Sequence, residues 1–162
     1  MPLVSVIVLN YNGLRFLQTC FDSLAASAYT QQELIMVDNG STDDSVAFVE
    51  QNFPQVRIIR STSNLSFSGG NNLGVRHAQG KYVVLLNNDT EVTPGWLEPL
   101  VEELESDERI AACQPKVLSM TNRRMFEYAG AAGGFIDSFG FPFLRGRLFT
   151  TIEEDRGQYQ AP

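Results

Sequence analysis

Hydrophobic residues along this chain follow two alternating patterns. Short apolar runs of strand length end at polar turns, and between them apolar residues recur every three or four positions, as on one face of a helix. The strands are predicted at residues 3–9, 33–37, 56–59 and 82–86. The helices are predicted at 14–28, from a cap at 41–44 to about 52, at 66–79 and at 94–106.

This alternation predicts an α/β fold, with a mostly parallel sheet and helices on both faces. The apolar block at 82–86 is predicted to be a buried strand. The segment 110–120 predicts a further strand, edge-like where Pro115 interrupts it. Beyond residue 120 the pattern ends, and the Gly- and Phe-rich stretch 123–149 predicts β-hairpins or a loop folded over a site. We therefore divide the chain into an α/β portion, 1–120, and a hairpin or loop region, 121–162.

Charge and composition narrow the classes of function. A chain of 162 residues with 43% hydrophobic content fits one domain with a real core. Its net charge of −7 argues against general nucleic-acid binding, but one metal ion can screen a diphosphate locally. Neither a signal peptide nor a membrane-spanning segment is predicted. Cys20 and Cys113 lack metal-like spacing and are expected to be free thiols in the reducing cytoplasm.

Polar residues follow three of the predicted strands. They occupy positions 10–12, 38–39 and 87–89. Ligands of such folds collect at the carboxyl ends of the strands, so these positions are expected to share one rim. An aromatic such as Tyr11 can pack on a base, and a carboxylate such as Asp38 can accept the imide N–H of a pyrimidine. An acid beside two amides at 87–89 suits a divalent metal that holds a phosphorylated ligand. Asn and Asp are also ordinary turn residues, so a simple turn stays open as the alternative for each position.

Several nucleotide-binding and catalytic motifs are missing. The turn after the first strand has one glycine instead of G-x-G-x-x-G, and neither a P-loop nor a G-x-S-x-G elbow follows any strand. His77 lies in a predicted helix without a nucleophile to pair with, so a surface or packing role is expected for it.

The ordered motifs resemble family 2 glycosyltransferases. The resemblance rests on VSVIVLNYN at 4–12, VDNGSTD at 37–43, Asn72-x-Gly74, GKY at 80–82 and NND at 87–89, and it runs from residue 2 to about 117. These are inverting enzymes of the GT-A fold that use nucleotide-activated sugars. The asparagine-rich form of the last motif is most similar to rhamnosyltransferase-type members that use dTDP-sugars.

The resemblance implies roles for individual residues. Asp38 is expected to hydrogen-bond the uracil or thymine ring, and Asp89 to ligate Mn²⁺ or Mg²⁺. The nucleotide-sugar-binding residues are expected to be Asn10, Tyr11, Asn12, Asp38, Gly69, Gly70, Asn72, Asn87 and Asn88. A helix N-terminus near the paired glycines favours the diphosphate.

Inverting transfer also needs a base, which the family carries in its second half. The acids at 153–155 look like a polar connection, and the base is expected beyond Pro162. The chain is thus expected to be the N-terminal, donor-binding portion of a transferase. Such an enzyme would pass a sugar from a UDP- or dTDP-sugar to a saccharide or lipid-linked acceptor, in cell-surface polysaccharide synthesis at the inner membrane face. Exposed apolar residues in the hairpin region make a homodimer possible.

Two other functions stay open. The unassigned base allows a non-catalytic nucleotide-sugar-binding or interaction module. A nucleotidyltransferase would share the sheet and the metal acid, but the glycine-rich basic loop after its first strand is absent here.

Overall fold

The computed structural model describes residues 1–128 and 132–159. Residues 129–131 of the predicted hairpin region, and 160–162 at its end, lie outside the described residues. The chain forms two compact units, Met1–Gly95 and Trp96–Pro162. The functional division near residue 120 stays a prediction.

The first unit is built on a four-stranded parallel sheet. Its strands are β1 (Val4–Asn10), β2 (Gln32–Asp38), β3 (Arg57–Arg60) and β4 (Tyr82–Asn87), in the order β3-β2-β1-β4. Asn10 lies opposite Asp38, and Leu9 lies opposite Asn87. The carboxyl ends of β1, β2 and β4 therefore meet at one edge, as the sequence predicted.

One face of the sheet is covered by helix α3 (Ser66–Val75), which packs on β1 and β2. Ile7, Ile35 and Val37 form the buried centre of this layer. The helix comes so close that a Cβ on Gly74 would lie 2.5 Å from the Ile7 Cγ2 atom. Glycine at this position is therefore what allows the helix to settle on the strands.

The opposite face is buried as well. Side chains alternate along a strand, so the buried Val6, Val8 and Met36 point away from α3. Helices α1 (Leu14–Ala25) and α2 (Ser45–Asn52) contact each other and carry buried apolar residues of their own. The predicted α/β architecture, with helices on both faces of a parallel sheet, is confirmed.

The prediction that β4 is buried on both faces is wrong. Its residues alternate between half-buried and exposed, and Val83 and Leu85 lie on the exposed side. The physical reason is that β4 is an edge strand of the described sheet, beyond the cover that α3 gives to β1 and β2.

The second unit contains helix α4 (Leu97–Ser106) and two small hairpins. Strands β5 (Gly134–Ile136) and β6 (Pro142–Leu144) form one hairpin, and β7 (Arg147–Leu148) and β8 (Thr151–Ile152) form the other. Hairpins were predicted here, but the strand predicted at 110–120 is wrong. That segment makes one isolated bridge, between Leu118 and Phe126.

Phe126 is fully buried and forms the centre of the part of this unit that follows α4. Its ring lies 5.7 Å from that of Tyr159, and a Cβ on Gly146 would lie 2.5 Å from the Phe126 Cδ2 atom. Backbone bonds from Phe126 to Glu153 and from Asp155 to Arg124 tie the end of the unit to its beginning. None of the helices in the described residues is long and apolar enough to cross a bilayer.

Candidate functional site

Asn10 joins three elements at the carboxyl edge of the sheet. Its side chain is fully buried. Its Oδ1 accepts a hydrogen bond of 2.8 Å from the Asn88 amide, and its Nδ2 donates to the Ser41 hydroxyl at 3.2 Å. These two bonds connect the ends of β1 and β4 and the loop after β2. The structure thus brings together residues that are 78 and 31 positions apart in the sequence.

Gly13 makes room for this arrangement. A Cβ on Gly13 would overlap the Asn88 side-chain amide and lie 2.5 Å from the Asn10 Oδ1 atom. Because real Cβ atoms do not approach other atoms so closely, the start of α1 can sit against these amides only with glycine at position 13.

Asn12 and Ser41 fasten the loop after β1 to the loop after β2. Asn12 adopts a left-handed backbone with φ of 50°, which asparagine tolerates better than most residues. Its backbone amide donates to the Ser41 hydroxyl at 3.0 Å, and its Oδ1 accepts the Thr42 amide at 2.8 Å. Tyr11, between the two anchored asparagines, is left 51% exposed and available to stack on a planar group.

Asp38 is the buried carboxylate of this edge, with only 5% of the residue exposed. Its Oδ1 accepts one long hydrogen bond of 3.4 Å from the Ser41 amide. A carboxylate can accept about four hydrogen bonds, so the side chain has capacity for a further N–H donor. This is the chemistry that an imide N–H of a pyrimidine would satisfy.

Asn39 holds the start of α3 against the end of β2. The side chain is 2% exposed and makes three hydrogen bonds across the loop. Its Nδ2 donates to Asn64 Oδ1 at 3.1 Å and to the Ser66 carbonyl at 3.2 Å, and its Oδ1 accepts the Leu65 amide at 2.8 Å. The first turn of α3 is thereby fixed beside Asp38.

The predicted α3 residues differ in their surroundings. Gly70 is buried, and a Cβ there would overlap the Leu9 side chain and lie 3.2 Å from the Asn39 amide. Gly69 is half-buried and Asn72 is exposed. The close packing of Gly70 explains its glycine without a ligand, and the ligand roles of all three residues stay predictions.

Asp43 caps two helices at once. Its Oδ2 accepts the Leu14 amide at the start of α1, at 3.1 Å, and its Oδ1 accepts the Ser45 amide at the start of α2, at 3.2 Å. Partial burial raises the pKa of Asp43, but the hydrogen bonds from Ser45 and Leu14 outweigh it and hold that pKa below its usual value. The ionised form is thus the one that this part of the fold stabilises.

The residues at the end of β4 and just after it supply oxygen ligands but little charge. Asn87 and Asp89 are exposed and Asn88 is half-buried. Burial, with a further contribution from the Asp89 charge, raises the pKa of the Cys20 thiol in α1 to about 12. Within the described residues, groups of three or more His, Cys, Asp or Glu that could hold a metal do not occur.

This donor set fits one kind of metal site. Mg²⁺ and similar hard cations are held in many enzymes by one or two carboxylates, with the rest of the shell from substrate phosphates and water. Asp89, with amide oxygens beside it, suits a metal that binds together with a diphosphate. It does not suit a metal held by the protein alone.

The acids at 153–155 in the second unit are all engaged locally. The Tyr159 hydroxyl donates to Glu153 at 2.8 Å, and Glu153 raises the pKa of that tyrosine. The ion pairs are Arg156–Glu154 at 3.1 Å and Lys116–Asp155 at 2.5 Å. These contacts give the three acids structural roles.

The sequence placed Asn39 at the rim and Ser41 and Asp43 in the motif after the second strand, but it assigned none of the three a role in building the site. Each was recognised only as part of a polar turn or a helix cap. Their partners lie 25 to 31 positions away, and local spacing carries no signal for such contacts. The one clue was that these turns follow strands expected to end at the same edge.

The chain matches the profile of one protein family, described as "Glycosyl transferase family 2", over residues 5–156. Among curated proteins, the "Uncharacterized glycosyltransferase YibD" of Escherichia coli K12 is 37% identical over 114 residues, which are 68% of this chain and 33% of that protein. A chondroitin synthase of Escherichia coli is 31% identical over 113 residues, 68% of this chain and 16% of that protein. The chain thus spans a third or less of these two relatives.

Solved structures show the same fold. Mannosyltransferase PcManGT from Pyrobaculum calidifontis, in complex with GDP-Man and Mn²⁺, has a TM-score of 0.60 and 25% identity over 72% of this chain and 34% of that chain. Residues 1–349 of Staphylococcus aureus TarS, in complex with UDP, have a TM-score of 0.60 and 23% identity over 65% of this chain and 33% of that one. The TarS likeness concerns the fold alone. Together these matches confirm the predicted GT-A architecture.

Proposed function

The chain belongs to glycosyl transferase family 2, and from that premise we propose that it forms the donor-binding portion of an inverting sugar transferase. The donor is a UDP- or dTDP-sugar, and the acceptor is a hydroxyl of a saccharide or a lipid-linked saccharide. The proposal rests on one observation. The carboxyl ends of β1, β2 and β4 meet at one edge of the sheet, where side-chain hydrogen bonds connect them and the buried Asp38 lies.

The pyrimidine is the part of the donor that this edge is best equipped to recognise. Asp38 accepts the imide N–H of uracil or thymine, and the exposed Tyr11 ring packs on the base. Support comes from the spare acceptor capacity of a nearly buried carboxylate, because a hydrogen bond to a charged group in such a place is strong. A base with a ring nitrogen acceptor in place of the imide N–H would set a lone pair against the Asp38 carboxylate, and this contact would be repulsive.

Asp89 is the proposed ligand of Mn²⁺ or Mg²⁺, with Asn87 beside it. When bound, the metal would neutralise the diphosphate that leaves as the sugar is transferred. The chain's own contribution is to place one carboxylate and the neighbouring amides near the diphosphate. The Mn²⁺ and GDP-Man in the PcManGT structure support the general scheme for that protein. The predicted ligand roles of Gly69, Gly70 and Asn72 belong to the same proposal.

The base that deprotonates the acceptor is proposed to lie in a segment of the relatives that this chain does not cover. The local pairs formed by the acids at 153–155 support this view, because a base must be free to reach the attacking hydroxyl. The chondroitin synthase among the relatives supports a role in cell-surface polysaccharide synthesis. We place the reaction at the cytoplasmic face of the membrane, with the protein bound peripherally.

Calorimetric titration of the chain with UDP, dTDP and ADP in the presence of Mn²⁺ tests this proposal. UDP and dTDP should bind. ADP should bind at least about tenfold more weakly, because adenine has no imide N–H to donate to Asp38. Asp38→Ala should weaken UDP binding by about 1–3 kcal/mol. Asp44→Ala, which removes an exposed acid without a side-chain capping bond, is the matched control and should bind as the wild type does. Failure of folded protein to bind any of the three nucleotides would overturn the proposal.

A further inference from the structure

The two hairpins of the second unit carry a dense set of exposed apolar side chains. Phe139 and Phe149 are each 85% exposed. The other exposed members are Phe135, Ile136, Phe141, Phe143 and Leu148. Single exposed apolar residues are ordinary, but so many within residues 134–152, here called the aromatic hairpins, mark an interaction surface.

The tip of the first hairpin is held rigid by its own hydrogen bonds. The Asp137 carboxylate accepts the amides of Phe139 and Phe141 at 2.8 and 2.9 Å. The Gly140 amide donates to the Asp137 carbonyl at 3.0 Å, and Gly140 adopts the positive φ of 86° that the turn requires. The turn therefore presents Phe139 outward with much of its backbone already paired, which lowers the cost of entering a medium that has few hydrogen-bond partners.

The tip of the second hairpin presents Phe149 in a strained conformation. Its φ of 53° is uncommon for a bulky side chain and is expected only where the surroundings impose it. Arg147 supplies part of that constraint, because its Nε donates to the Phe149 carbonyl at 2.8 Å. Both tips thus hold an aromatic ring away from the body of the unit.

Positive charge lies beside these rings. The aromatic hairpins have two arginines, Arg145 and Arg147, and one acid, Asp137, whose carboxylate accepts the amides of its own turn, although the whole chain carries a net charge of −7. The Arg145 guanidinium lies 4.7 Å from the centre of the Phe135 ring, and that of Arg147 lies 3.8 Å from the centre of the Tyr128 ring. Such a surface is suited to an anionic bilayer. The aromatic rings would insert at the boundary of the acyl chains, and the arginines would bind the phosphate headgroups.

We propose that the aromatic hairpins dock this protein on an anionic phospholipid surface, with Phe139 and Phe149 inserted at the headgroup level. The proposal stands on the second unit alone and does not depend on the donor site. It provides a physical basis for a peripheral attachment.

Vesicle co-sedimentation with the whole chain tests the proposal. The wild type should bind vesicles of phosphatidylcholine that contain about 30% phosphatidylglycerol, because this anionic lipid gives the vesicles a negative surface potential. It should bind vesicles of pure phosphatidylcholine much less. Phe139→Ser with Phe149→Ser should weaken binding on the order of a hundredfold, about tenfold for each ring. Arg145→Gln with Arg147→Gln should weaken binding to the anionic vesicles by roughly thirtyfold. Met120→Ser, which removes an exposed apolar residue outside the hairpins, should bind as the wild type does.

A second measurement keeps the proposal independent of how the variants fold. Binding of the wild type to the anionic vesicles should fall steeply when salt is raised, since salt screens the arginine–phosphate attraction. Absence of binding to the anionic vesicles would overturn the proposal. So would equal binding to both vesicle types. Concentration-dependent dimerisation without vesicles that the Phe139→Ser, Phe149→Ser variant abolishes would also overturn it, by assigning the surface to a second copy of the chain.

Discussion

Asn39→Ala is the change that most directly probes how the donor-site edge is held together. The alanine removes the side chain that ties the end of β2 to the start of α3. The Leu65 amide loses its acceptor, and the Ser66 carbonyl and the Asn64 side chain lose a donor. Fold and strand order should survive, because the sheet registers do not involve this side chain.

The expected loss of stability follows from the three hydrogen bonds. Neutral hydrogen bonds contribute about 0.5–1.5 kcal/mol each, so three of them together contribute about 1.5–4.5 kcal/mol. Residues 64–66 are exposed, so water can pair with the groups left behind once the asparagine is gone. We therefore expect the free energy of unfolding to fall by about 2 kcal/mol, at the lower end of the sum.

Urea denaturation followed by far-ultraviolet circular dichroism measures this loss, and hydrogen exchange at the Leu65 amide locates it. Asn72→Ala is the matched control, because Asn72 is an exposed asparagine of α3 whose replacement should be neutral or slightly stabilising. If Asn39→Ala unfolds at the same urea concentration as the wild type, and the Leu65 amide keeps its protection, the clamp assigned to Asn39 is refuted.

Three further changes test the packing and capping of the two units. Gly13→Ala should lower the free energy of unfolding by about 1–3 kcal/mol and weaken UDP binding, because its Cβ would displace the Asn88 amide; normal binding would contradict the assigned geometry. Asp43→Asn should make the free energy of unfolding depend less on pH in the acidic range. The folded pKa of Asp43 is depressed, so its contribution is full above the unfolded value near 3.8 and is lost as pH falls through the folded pKa. An unchanged pH profile in urea melts would count against the double cap. Gly146→Ala should destabilise the second unit, since the residue has a φ of 79° and its Cβ would press on Phe126; retained protection of the Phe126 amide in hydrogen exchange would argue otherwise.

The alternation of strands and helices made much of the first unit predictable. Apolar runs of β-branched residues marked β1 and β2 to within one residue at each end. The rule that ligands gather at the carboxyl ends of parallel strands then placed residues 10–12, 38–39 and 87–89 together. The structure confirms that neighbourhood, through the contact between Asn10 and Asn88.

Other features depended on contacts that no local pattern encodes. The segment 110–120 has strand-like composition, but a strand needs a partner, and Pro115 removes one donor. The exposure of one face of β4 could not be predicted from the sequence. The apolar residues of β4 do not indicate that α3 covers β1 and β2 instead. Asn39 looked like a turn residue, and only the fold brings Asn64 and Ser66 to it.

The donor-diphosphate site at the end of β4 is tested most directly by titrating UDP in the presence and absence of Mn²⁺. The wild type, Asp89→Asn and Glu108→Gln are compared, the last being a charge-matched change at an exposed acid of the second unit. Mn²⁺ should strengthen UDP binding to the wild type and to Glu108→Gln. Asp89→Asn should lose about tenfold or more of that enhancement, since even outer-shell partners of a metal change its affinity by about 10–100-fold. An Asp89→Asn protein that binds UDP with the full Mn²⁺ enhancement would contradict the assignment of Asp89 and of the site built around it.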